Sequence, residues 1–181
     1  MSDWSHIARR IRVPLGFAFA AFYLWIARPT WNSIVLGTIV AIPGIGLRAL
    51  ASGYVKKNEE LTTSGPYAYT RNPLYLGSLI MAIGFAIAAR SLWVVSLMVG
   101  MFLIIYLPVI RSEEKFLRGT FPAFDAYARN VPRLFPRWTP FERTPGAFSS
   151  PLYWQHREYN AVLGTAALMA ALVAKLMWGS S

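Results

Sequence analysis

The chain has 181 residues, 55% of them apolar and only 14% charged, against about 25% charged in an average soluble domain, so a soluble globular protein is disfavoured. Eighteen lysines and arginines against eight carboxylates leave a net charge of +10, which points either to nucleic acid or to the basic loops of a membrane protein. Cysteine is absent and histidine occurs only as His6 and His156, which excludes disulfides, thiolate zinc sites and histidine-rich metal centres, so no metal is expected.

Five stretches are nearly free of charge. The first, Val13 to Ala27, follows Arg9, Arg10 and Arg12 in the manner of a signal peptide. The rest of the chain is equally apolar, so an uncleaved first helix is expected. The second, Thr30 to Leu47, carries Gly44-Ile45-Gly46 after Pro43. No strand precedes that pair of glycines, so a dinucleotide fingerprint fails and a kink with close helix packing is expected instead.

A polar segment, Ala49 to Pro73, comes next, and from Ser64 to Gly77 it reads SGPYAYTRNPLYLG. Gly65-Pro66 signals a turn, and Pro73 suits the first position of a third helix. The first turn of that helix leaves N–H groups open to a carboxylate or another acceptor. Read alone, the segment fits an interfacial loop with Tyr67, Tyr69 and Tyr75 as belt aromatics equally well. The third and fourth apolar stretches, Leu74 to Ala89 and Ser91 to Ile110, are separated by little more than Arg90, which predicts an antiparallel hairpin.

Arg111, Glu113, Glu114 and Lys115 follow the fourth stretch. Two carboxylates at the C-terminal end of a helix oppose its macrodipole, so either a cation faces them or Arg111, Lys115 and Arg118 neutralise a solvated pair. Phe121, Phe124, Tyr127 and Val131 recur at helical spacing and predict a short amphipathic helix along the interface, ended by Pro132. Residues 137–158 read as a proline-rich connector. The fifth stretch, Tyr159 to Trp178, is broken only by Lys175, near enough to its end to snorkel.

Under this division fifteen of the basic residues and all eight carboxylates fall on one side of the membrane, and only Arg28 and Arg90 on the other. The positive-inside rule then puts the N-terminus and both polar segments in the cytoplasm. The expected architecture is a single all-α integral-membrane domain with five transmembrane helices and an interfacial helix between the fourth and fifth. Placement of the charge has a membrane explanation, so nucleic-acid binding is not expected.

Taken in order, the motifs resemble the integral-membrane methyltransferases that include isoprenylcysteine carboxyl methyltransferase and the phospholipid N-methyltransferases. Gly65 to Gly77 is similar to a GPYxYxRHPxYxG segment, Glu113-Glu114 to a Glu-Glu pair after the next helix, and Val131-Pro132-Arg133 with Pro136 to a closing aromatic and basic stretch. The likeness covers residues 61–136. It implies S-adenosylmethionine as cofactor, held by Leu61, Tyr67, Arg71, Asn72, Pro73, Leu74, Tyr75, Gly77, Glu113 and Glu114. It further implies catalytic roles for Glu114, Arg111 and Glu113, and an acceptor contacted by Arg111, Tyr127 and Arg133. Asn72 departs from the family's usual histidine and cannot carry a charge.

The expected reaction is methyl transfer at the cytoplasmic face, to a lipid-like or apolar acceptor entering from the bilayer. With Arg111 and Arg133 near the pocket, a carboxylate acceptor is slightly favoured over an amine. The membrane would be the inner membrane in a bacterium and the endoplasmic reticulum in a eukaryote. Two other readings stay open: a sterol-reductase relative using NADPH, and a non-enzymatic membrane scaffold.

Overall fold

The structure, a computed structural model, describes residues 18–56, 59–141 and 146–179. The described residues form helices and connections, with no strand among them. Helix α1 is described over residues 18–26, and the earlier part of the first predicted span lies outside the described residues. Helix α2 spans Trp31–Tyr54, a 3-10 turn covers Gly65–Ala68, and α3 spans Pro73–Ala89. A continuous helix α4 covers Leu92–Thr120; α5 is Phe124–Asn130, α6 Ser150–Gln155 and α7 Tyr159–Gly179.

Local chemistry sets several boundaries. Thr30 and Ser33 form a reciprocal capping box that starts α2. Pro73 occupies the first turn of α3, where a missing N–H costs nothing. Arg90 ends α3 in the left-handed region at φ 50°, and Ser91 starts α4 at once. Inside α4, Pro108 has no N–H for the carbonyl four residues back, and the helix widens into a π turn over Phe102–Tyr106.

Among the described residues three helices, α2, α4 and α7, are long and apolar enough to cross a membrane, whereas α3 has only 17 residues. Two ends differ from expectation. Helix α2 runs on to Tyr54 rather than stopping near Leu47, and α4 continues ten residues past Ile110. The Glu113-Glu114 pair therefore lies inside a helix, and the macrodipole argument for its partners lapses. A short helix, α5, stands where the amphipathic helix is expected and is shorter than that apolar pattern, and the connector contains α6.

Helices α2 and α3 pack backbone to backbone. A Cβ on Gly37 would lie 2.5 Å from the carbonyl oxygen of Gly84, and one on Gly44 would lie 2.6 Å from that of Gly77. Gly46, by contrast, faces open space. Gly44→Ala is accordingly expected to cost about 1–3 kcal/mol through overpacking against an unyielding backbone, while Gly46→Ala leaves stability equal or slightly higher by removing a flexible residue from a helix. Thermal unfolding of the two variants in one detergent checks this, and equal losses would refute the close approach.

Polar ties hold α7 to this pair. Arg48 on α2 makes a bidentate pair with Glu158 at 2.8–3.0 Å and also donates to Ser78 of α3. At the far end Lys175 donates to the carbonyls of Leu24, Trp25 and Ala27, closing the C-terminus of α1. A core of Tyr23, Ala27, Ile34, Ala88, Val94 and Leu172 fills the same end. Val35, Leu36, Ile39 and Ile42 are more than half exposed along α2, as expected of a face that meets lipid.

Candidate functional site

The segment before α3 and the one after α5 are stitched together. Arg71 N–H donates to the Pro132 carbonyl at 2.9 Å, Arg137 N–H to Tyr69, and Phe141 N–H to Ala68. Thr70 Oγ1 donates to the carbonyls of Arg133 and Leu134. The two motifs, 60 residues apart in the chain, are thus one folded unit. Helix α5 seals it: Phe124, Tyr127 and Val131 are buried against Leu61, Leu117 and Phe141, and the Tyr127 hydroxyl donates to the Tyr67 carbonyl at 2.7 Å.

Glu114 is the hub of this unit. Its side chain is 8% exposed and meets Arg133 Nη2 at 2.7 Å and Arg71 Nη2 at 3.3 Å. Asn72 Nδ2 donates to the same carboxylate at 3.3 Å and to the Arg133 carbonyl at 3.1 Å. Two arginines, drawn from both neighbouring motifs, therefore face Glu114. Hydrogen bonding to Glu114 holds the Arg133 guanidinium above its ordinary pKa, against the lowering effect of burial. Arg71 is less complete. Its Nη1 donates to Ala128 at 3.1 Å, but its buried Nε has no partner among the described residues.

A cavity of about 450 Å³ opens beside this hub. Of the residues expected to bind cofactor, Leu61, Tyr67, Arg71, Asn72, Leu74, Tyr75, Glu113 and Glu114 line it, as does Tyr127 from the expected acceptor side. The Tyr67 phenol is held strongly toward its neutral form, first by burial and then by the charges of Tyr127 and Glu113. Its stabilising share is present below a tyrosine's ordinary pKa near 10 and lost as pH rises beyond it.

Other expected residues lie elsewhere. Pro73 is buried at the start of α3 and outside the lining. Gly77 abuts Gly44 and Arg48 in the α2–α3 contact, so its structural part is packing. Arg111 is exposed and lines no described cavity. Arg133 reaches the site through Glu114 and not through the cavity wall. Lys56, Glu60, Thr62, Phe116, Leu117 and Phe124 also line that cavity. Leu117 had a signal: Ile110, Glu114 and Leu117 share one helical face if the helix does not stop at Arg111.

A second cavity, about 470 Å³ and almost wholly apolar, runs between α3 and α4 beside the π turn. Met81, Phe85, Met98, Met101, Phe102 and Ile105 line it, and Arg48 with Ser78 supplies its polar corner. Tyr75 lines both cavities and packs edge-on against Tyr106 of the π turn, with ring centroids 6.1 Å apart.

The family described as phospholipid methyltransferase matches residues 15–123, which includes Asn72 and the glutamate pair but stops before Arg133. The chain is 37% identical over 134 residues to the cobalt-zinc-cadmium resistance protein CzcN of Cupriavidus metallidurans, covering 70% of this chain and 62% of that protein. It is 34% identical over 119 residues to the nickel-cobalt-cadmium resistance protein NccN of Alcaligenes xylosoxydans xylosoxydans, covering 65% and 54%. The chain thus spans less than two thirds of the length of these curated relatives. No solved structure matches it.

Proposed function

The chain belongs to the phospholipid methyltransferase family, and on that premise we propose that it transfers a methyl group from S-adenosylmethionine to a lipid-like acceptor drawn from the membrane. The observation that carries this reading is Tyr75, the common wall of a polar cavity and an apolar one. A water-soluble donor and a membrane-soluble acceptor need two such compartments that touch.

The polar cavity suits the donor. About 450 Å³ lies within the usual range for small-molecule sites. The unpartnered Nε of Arg71 seeks an acceptor such as the donor's carboxylate. Glu113 and Glu60, on the same wall, place negative charge where an ammonium and a sulfonium would be stabilised. S-adenosylmethionine supplies a methyl group on positively charged sulfur, which becomes a neutral thioether once an acceptor lone pair has taken the carbon. The protein's part is to orient the two molecules and exclude water, which needs no nucleophile or metal of its own. Buried Phe124 and Tyr127 form the excluding wall.

The acceptor's end of the site favours an uncharged group. Arg111 and Arg133 do not line the apolar cavity, and Arg48, which does, is neutralised by Glu158. The preference for a carboxylate acceptor thus loses its motive, and a lipid whose nucleophilic atom is an uncharged oxygen or nitrogen fits better, that atom giving up its proton to water or to Glu113 as it takes the methyl group.

Equilibrium binding of S-adenosylmethionine and of NADPH to the purified protein tests the assignment. Methyl transfer from labelled donor to a prenylcysteine analogue, a fatty acid, an aminophospholipid and a neutral lipid extract should follow. Glu113→Gln is expected to weaken donor binding about tenfold while thermal stability changes little, because the side chain is exposed. Preferential NADPH binding would move the chain to the reductase reading, and binding of neither would sink the enzyme.

A further inference from the structure

A third cavity, about 860 Å³, lies at the opposite end of the bundle from Glu114. Helix α3 runs from Asn72 at the polar cavity to Arg90 at this far end, and α4 returns from Ser91 to Glu114. Three cations line it, Arg28 after α1, Arg90 after α3 and Lys175 on α7, and among the described residues its lining contains no carboxylate.

The end of α1 accounts for the charge of Lys175, whereas nothing comparable among the described residues accounts for those of Arg28 and Arg90. Lys175 spends its three N–H donors on backbone carbonyls, so its positive charge meets no carboxylate. Arg28 and Arg90 are exposed and form no ion pair among the described residues. Arg90 also sits at φ 50°, a left-handed position that favours glycine at a helix end. Between them, α4 begins without a side-chain cap at Ser91, so the N–H groups of its first turn have no side-chain partner, and Ser91, Leu92 and Trp93 line the same cavity. Clustered like charges are unfavourable until an anion joins them, and two guanidiniums beside open N–H groups match the oxygens of a phosphate.

The rim identifies the source of that phosphate. Trp25, Leu92 and Trp93 line the cavity with 77%, 84% and 73% of their surface exposed, where acyl chains can cover them and indole rings sit at headgroup depth. We propose that this end of the bundle holds the phosphodiester headgroup of an anionic phospholipid, at a site separate from the methyl-transfer cavities and in the opposite leaflet.

The test is photolabelling of the full chain in phosphatidylcholine vesicles that contain a small share of photoreactive phosphatidylglycerol or, in parallel, photoreactive phosphatidylcholine, with labelled peptides mapped. Label around Ser91 to Trp93 is expected to favour phosphatidylglycerol. Arg28→Gln combined with Arg90→Asn, the asparagine chosen because it tolerates left-handed backbone, should cut that preference about fivefold per arginine. Labelling around Arg111 to Arg118 should stay unchanged, showing that the variant is folded, and Arg28→Lys should keep most of the preference. Equal labelling by the two lipids, or an unaltered preference in the double variant, would overturn the proposal. Loss of the phosphatidylglycerol label on adding inorganic phosphate would assign the site to a soluble anion and overturn the lipid headgroup.

Discussion

Glu114→Ala is expected to cost about 3 kcal/mol of stability and to abolish measurable donor binding. The carboxylate neutralises Arg71 and Arg133, whose side chains are 12% and 40% exposed. Removing one partner of a buried charge pair typically costs about 3–5 kcal/mol because the remaining charge is stranded, and the partial exposure of Arg133 places this case at the lower end. Asn72 would lose an acceptor in the same stroke. Donor binding fails for a geometric reason: with Glu114 gone, the Ala128 carbonyl alone is left to hold the Arg71 guanidinium beside the cavity. Asp125→Asn is the comparison, since the Arg118–Asp125 pair has more than half of each side chain exposed and such pairs contribute about 0–1 kcal/mol. Denaturant unfolding and calorimetric titration with S-adenosylmethionine report the two effects. Similar losses in both variants would show that Glu114 is no hub.

Phe124→Ala should cost about as much, about 3–5 kcal/mol as for other large core truncations, but by a different route. Its ring is 1% exposed, packs edge-on against Tyr127 and lies under the Arg118 guanidinium at 5.6 Å. The damage is expected to be local. Helix α5 has seven residues, too few to persist without the surface it docks on. Hydrogen exchange should therefore rise across Phe124–Asn130 while α2 and α3 remain protected, and donor affinity should fall as water gains entry past Tyr67. Unchanged exchange in α5 with a loss under about 1 kcal/mol would mean that the helix is held from elsewhere.

The parts of the site that could be read from the sequence are those where one residue type has one physical meaning. Pro73 could only open a helix, Arg90-Ser91 left no room for anything but a reversal, and the Phe124–Tyr127–Val131 spacing named the face that α5 buries. The helix ends were misread because polarity was taken as a boundary. Past Ile110 the chain turns charged yet stays helical, since Glu114 and Leu117 continue the inward face with a carboxylate where an apolar residue would be expected. No local pattern could supply the partners of that carboxylate, because Arg71 and Arg133 reach it from positions 43 residues before and 19 after. Gly77 shows the reverse problem. A glycine inside a motif is equally a contact with ligand or with backbone, and only the position of Gly44 decides for backbone.

Helix α4 has one more consequence. It runs for 29 residues, about 43 Å at 1.5 Å per residue, but its apolar part ends at Ile110 and matches a hydrocarbon core of about 30 Å. One end lines the apolar cavity, and the other, beyond the apolar part, carries Glu113 and Glu114. The last turns therefore stand clear of the core on a helical stem, and the length of that stem sets how far from the bilayer the glutamates and the loop of Arg71 and Asn72 are held.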